Sequence, residues 1–131
     1  MTMTDEERKA ARRASHNKWA EKNHEYRLEY KRKLRVARKI EVLSHYSGGN
    51  PVCDCCGETE LAFLTLDHVN GDGAKHRREN FGSNKSAGTS YMYGWIKRNG
   101  FPPIFKVLCF NCNTGRHING GVCPHKQKGI K

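Results

Sequence analysis

Two cysteine pairs, a carboxylate, an imidazole and an amide are the residues able to do chemistry. Cys53 and Cys56, and again Cys109 and Cys112, form C-x2-C knuckles, each holding two sulfurs at one tight turn. Four thiolates in tetrahedral array are what zinc takes in a structural site. Such a site has no open position, so it would stabilise the fold without doing chemistry. Free buried cysteines are the plain alternative, but paired knuckles in a small chain point to metal. Cys55 competes as a ligand, although its adjacency to Cys56 makes a poor chelate. Cys123 and His125 could make another half-site; an ordinary tail cysteine and histidine is the simpler expectation. Between the knuckles lie 52 residues, more than a plain zinc ribbon needs, so something is inserted there.

The insert holds the second constellation. Asp67-His68 follows the apolar run Leu61 to Leu66, and Asn113 directly follows Cys112. A carboxylate and an amide oxygen are hard donors suited to Mg²⁺ or Mn²⁺, which keep open positions for water and phosphate. Adjacent strand residues point to opposite faces, so Asp67 can face a cation while His68 addresses a substrate. A neutral imidazole there could deprotonate a water attacking phosphorus, with the cation stabilising the leaving oxygen. Taken singly, Asp-His is an ordinary surface turn and Asn113 an ordinary helix cap.

Leu66-Asp67-His68 with Val107-Leu108-Cys109-Phe110-Asn111-Cys112-Asn113 resembles the HNH (ββα-metal) endonucleases, above all their zinc-stapled branch. The stretch Asp67-His68-Val69-Asn70-Gly71-Asp72-Gly73 with His76-Arg77, and the ending Gly120-Gly121-Val122-Cys123-Pro124-His125, is similar to small free-standing phage HNH proteins. The resemblance covers about residues 50–125. It implies Asp67 and Asn113 as ligands of a catalytic divalent ion, Mg or Mn, and His68 as general base. For the middle asparagine of the motif it offers Asn70, then Asn80. Phe101-Pro102-Pro103-Ile104 stands where many members carry an asparagine before the second strand, and many carry His in place of Asn113. By likeness to colicin-type nucleases, His117 is a third ligand or phosphate contact. His76, Arg77, Arg78 and Arg116 become candidate DNA contacts. By the same analogy the gene is of phage or mobile-element origin and the protein acts in the bacterial cytoplasm.

These residues need a scaffold to bring them together. Leu61–Leu66 and Ile104–Leu108 read as strands, and residues 113–119 as a short helix ended by Gly120-Gly121. Residues 70–89, with Gly71, Gly73, Gly82, Ser83, Ser86 and Gly88, read as a long loop. Residues 90–99 read as a helix with Tyr91, Trp95 and Ile96 inward; Tyr91, Tyr93 and Trp95 are expected in the core rather than as base-stacking platforms. The tail from Val122 is expected to be basic and loose. Upstream, residues 5–46 lack Gly and Pro and are rich in helix formers. Thr4 with Asp5, Glu6 and Glu7 marks the helix start. Trp19, Tyr26, Tyr30, Leu34, Ala37, Ile40 and Leu43 form a stripe, and a break is expected near His16-Asn17.

Composition sets the outer limits. The chain has 131 residues, 36% of them apolar, with six cysteines. No apolar run reaches a membrane span, and residues 1–13 lack the apolar core of a secretory signal. Lys plus Arg number 24 against 13 acids, a net +11. Such a charge selects a polyanion, with binding that weakens steeply in salt. Residues 1–45 alone hold thirteen basic residues against seven acids. Lys31, Arg32 and Arg35 could therefore contact phosphates, although a solvated helix face is the commoner fate of such runs. The stripe could equally be a homodimer seam, though no regular heptad supports one.

The expected architecture is α+β. A basic helical arm (1–47) precedes a small ββα-metal domain stapled by zinc (48–125), and a basic tail follows (126–131). The expected function is a metal-dependent endodeoxyribonuclease. Its rival is a non-catalytic zinc-stabilised module that binds DNA or RNA. The rival accounts for cysteines and charge but not for Asp67-His68 with Asn113.

Overall fold

The computed structural model describes residues 2–81 and 89–127. Gly82, Ser83, Ser86 and Gly88 of the expected loop, and residues 128–131 of the tail, lie outside them. Helix α1 spans Asp5–Lys22 and α2 spans His24–Ser47. The start of α1 is a full capping box, in which Thr4 and Glu7 each accept a backbone N–H from the other. The break falls at Asn23 rather than near His16-Asn17. Asn23 turns its backbone N–H and its side-chain amide onto the Trp19 carbonyl, and so closes α1.

The chain divides into two compact units, one ending at Val36 and the other beginning at Ala37. The division lies inside α2, upstream of the expected boundary at 47. The reason is burial: Val42 and Leu43 are fully buried and belong to the core of the second unit.

In that unit, strand β1 (Leu64–His68) pairs antiparallel with β2 (Phe105–Cys109). The register sets Leu64 opposite Cys109, Asp67 opposite Lys106 and His68 opposite Phe105. β1 starts three residues later than expected because Leu61–Phe63 forms a 3-10 turn; Asp67 and His68 are thus part of the strand. Helices α3 (Gly73–Phe81) and α4 (Thr89–Arg98) lie between the strands in sequence, and α5 (Phe110–Ile118) follows β2 and packs on both. α3 replaces the first half of the expected loop. On α4 the inward residues are Met92, Tyr93, Trp95 and Ile96, and Tyr91 is exposed. Tyr91 stands two positions from Tyr93, about 200° around the helix, so the two cannot share a face.

Two apolar clusters make the core. Leu43, Leu64, Val107 and Leu108 pack with the cysteines, and Val42, Tyr93, Ile96 and Phe105 pack on the other side. The whole is a mixture of helix and one small two-stranded sheet, compatible with an α+β class. Among the described residues, no helix is long and apolar enough to cross a membrane.

Candidate functional site

The two knuckles meet because β2 carries both to one place. The Asp54 N–H bonds to the Val107 carbonyl at 2.9 Å, which ties the first knuckle to β2. The second knuckle is the end of β2 and the start of α5. Cys109 is the N-cap of α5, and its Sγ accepts the Cys112 N–H at 3.4 Å. The helix therefore starts three residues before the position expected from the sequence. The first knuckle has the same local bond, Cys56 N–H to Cys53 Sγ at 3.5 Å.

The donor atoms of Cys53, Cys56, Cys109 and Cys112 all lie within 4.8 Å of one another. Cys56 Sγ and Cys109 Sγ are 3.6 Å apart. A tetrahedron with metal–sulfur bonds of about 2.3 Å has edges of about 3.8 Å, so four thiolates here suit a metal such as zinc. Burial opposes charge on Cys53, but backbone N–H groups of Cys56, Cys109 and Cys55 outweigh it and hold the thiol at about 7. Burial, reinforced by the surrounding thiols, pushes the Cys112 thiol up.

Asp67 and His68 are both buried at the end of β1. Two residues of α5, one and a half turns into the helix, reach Asp67. Arg116 Nη1 lies 2.9 Å from Asp67 Oδ2, and His117 Nε2 lies 3.8 Å from Asp67 Oδ1. Arg116 also donates to the carbonyls of Val69 at 2.9 Å, Gly121 at 3.2 Å and His68 at 3.5 Å. Arg116, expected as a DNA contact, is thus committed to oxygens of its own chain. Nothing in the sequence pairs Arg116 with Asp67, since 49 residues separate them.

The imidazole of His68 stacks at a tilt on Phe105, with centroids 4.6 Å apart, and meets the His76 ring at 5.0 Å. His76 in turn sets its edge against Trp95 at 4.4 Å. The structure therefore seats His76 behind His68, half-buried, rather than on an open face. Burial first, and then the neighbouring His76, lower the pKa of His68 below its ordinary value of 6.5. Among the described residues its Nε2 has no hydrogen-bond partner, and neither has the buried Oδ1 of Asn113. Gly73 explains how α3 comes so close. A Cβ there would stand 3.0 Å from His68 Nδ1, so a larger residue at the start of α3 would make the ring shift by a few tenths of an ångström.

The remaining expected contacts are dispersed. Asn70 is exposed in the turn after β1, and Asn80 donates to the His76 carbonyl within α3. Arg77 and Arg78 are exposed on α3. Lys31, Arg32 and Arg35 belong to the first unit and are exposed; Arg32 bonds Glu29 at 2.7 Å.

Of the hard donors expected around a divalent ion, the structure brings Asp67 and His117 together. Asp67 Oδ1 and His117 Nε2 are too far apart for a hydrogen bond but within reach of two bonds of about 2.1 Å. The orphaned oxygen of Asn113 sits one turn earlier on the same helix. Comparisons with protein-family models, curated proteins and solved structures returned no match.

Proposed function

We propose that the chain is a metal-dependent endonuclease of the HNH (ββα-metal) type, which hydrolyses DNA phosphodiester bonds. The observation that carries this reading is the end of β1. There a buried imidazole with a lowered pKa, and a nitrogen without a partner among the described residues, adjoins a buried carboxylate in sequence.

In this reading His68 is the general base. Neutral at physiological pH, it accepts a proton from the attacking water. Asp67, Asn113 and His117 would hold Mg²⁺ or Mn²⁺. When bound, such an ion supplies positive charge against the charge developing on the phosphate and the leaving oxygen. Asn70, next to the turn, is kept as a candidate to orient the loop after β1. Arg116 holds Asp67 and the strand end in position, and His76 supports the His68 ring from behind. Arg77 and Arg78 on α3, and Lys31, Arg32 and Arg35 on the arm, take phosphates. The four-cysteine zinc is structural. The products are a 5′-phosphate and a 3′-hydroxyl, and the setting is a phage or mobile element acting in a bacterial cytoplasm.

One observation favours the second reading, a non-catalytic zinc module that binds DNA or RNA. Asp67 Oδ2 already holds a cationic partner, Arg116, so only Oδ1 is left for a metal. Supercoiled plasmid with the zinc-loaded chain separates the two. The nuclease nicks or cuts it only when Mg²⁺ or Mn²⁺ is added, and the ends carry 5′-phosphates. Salt-sensitive binding with no cleavage under any divalent ion would leave the binding module.

A further inference from the structure

Cys112 belongs to two metal-competent groups. Besides the knuckle set, the donor atoms of Cys55, Cys112, Cys123 and His125 lie within 4.8 Å of one another. His125 Nδ1 stands 3.3 Å from Cys112 Sγ, 3.4 Å from Cys123 Sγ and 3.9 Å from Cys55 Sγ. For a tetrahedral ion with bonds of about 2.3 Å to sulfur and 2.0–2.1 Å to nitrogen, the nitrogen–sulfur edge is about 3.5 Å. The three measured edges bracket that value.

We propose that the chain binds two zinc ions, bridged by the thiolate of Cys112. Two tetrahedra that share one corner need seven donors. The six cysteines of the chain and His125 supply seven, and none is left over. This accounts for Cys55, which a single four-thiolate site leaves without a role. Its neighbours Cys53 and Cys56 serve one ion, and Cys55 between them serves the other. Cys112 is fully buried, as a thiolate shared by two cations must be to keep competing water away.

The second ion also explains why the basic, polar end of the chain folds onto α5. Residues Pro124–Gln127 form a 3-10 turn in which no residue is buried, so its own apolar packing is slight. What holds it is Cys123, which is buried, together with bonds from Asn119 Nδ2 to Val122 O and Gln127 Oε1, each 2.8 Å. Gly115 makes the approach possible, because a Cβ there would meet Pro124 Cδ at 3.1 Å. A glycine inside a nine-residue helix costs helix stability, and the docking of the tail is the return.

The proposal extends the zinc reading of the knuckles and is independent of the nuclease reading. Its test is the metal content of the full chain, purified under reductant with zinc and measured by mass spectrometry against protein by amino-acid analysis. Two zinc ions per chain are expected, falling to one in C55S/C123S and in H125A. Substitution with ¹¹³Cd should give two cadmium resonances, both coupled to the β-protons of Cys112. One zinc per wild-type chain that these variants keep would overturn the second site while leaving the first. Absence of zinc would overturn both. A Cys55–Cys123 disulfide in the native protein, seen by mass spectrometry, would also overturn the second site.

Discussion

Replacing Arg116 by alanine probes the tie between α5 and the end of β1. The side chains of Arg116 and Asp67 are 15% and 9% exposed, so their ion pair is largely dry. Removing one partner of a buried pair leaves an uncompensated charge and costs about 3–5 kcal/mol. Two features place the loss at the low end. His117 Nε2 is 3.8 Å from the other carboxylate oxygen, and Lys106 is the cross-strand partner of Asp67 on the same face of the sheet. About 3 kcal/mol in a unit of this size corresponds to a fall in Tm of about 12 °C or more. The assay is thermal unfolding by circular dichroism at fixed free zinc. The double variant Asp67→Leu with Arg116→Met removes both charges and should recover to within about 1 kcal/mol of wild type. An Arg116→Ala protein that melts within about 2 °C of wild type would refute the reasoning, since the guanidinium would then be a solvated surface group.

Further outcomes follow from the same geometry. Gly73→Ala places a methyl 3.0 Å from His68 Nδ1 and displaces the ring, so it should lower plasmid cleavage, by up to about tenfold (~1.4 kcal/mol), while leaving zinc content unchanged. Because burial lowers the pKa of His68, its native imidazole stays neutral where the unfolded one takes up a proton. Stability should therefore fall as pH drops below about 6.5, by more in wild type than in His68→Asn, as read by denaturant titration. On the same grounds the pH–rate profile of cleavage should be flat above about 6.5 as far as this base is concerned, and decline only below it. Stripping the metal with a chelator should unfold the second unit, because the cysteines sit in its core with Leu43, Leu64, Val107 and Leu108; loss of slow amide exchange at β1 and β2 would register it.

The cysteine knuckles were legible because their spacing is local. A C-x2-C turn carries its meaning within four residues, and the structure brings all four sulfurs together. Cys123 and His125 were legible as a half-site, with an ordinary tail pair the simpler expectation, and their convergence with Cys55 and Cys112 depends on the tail docking against Gly115, a contact that no spacing rule encodes. The Arg116–Asp67 pair was hidden for the same reason, since only the packing of α5 on β1 creates it. Element ends shifted where a side chain competed with the pattern. Cys109 capped α5 early, Asn23 closed α1 late, and the 3-10 turn at Leu61–Phe63 took the first half of an apolar run that reads as strand. Gly71 and Gly73 read as loop in sequence. Gly73 instead opens a helix, and its missing side chain eases the close approach of α3 to His68. Asp67 and His68, expected just after the strand, are its last two residues, and Asn113, expected to open the helix after β2, lies in its first turn.

The central claim is that His68 acts as a base toward a phosphodiester. It is tested most directly by single-turnover cleavage of duplex DNA by wild type and His68→Ala, with zinc content and DNA affinity measured on the same preparations. A fall in rate on the order of 10² or more, with zinc and binding retained, is the result this account predicts. Cleavage at the wild-type rate in His68→Ala would contradict it.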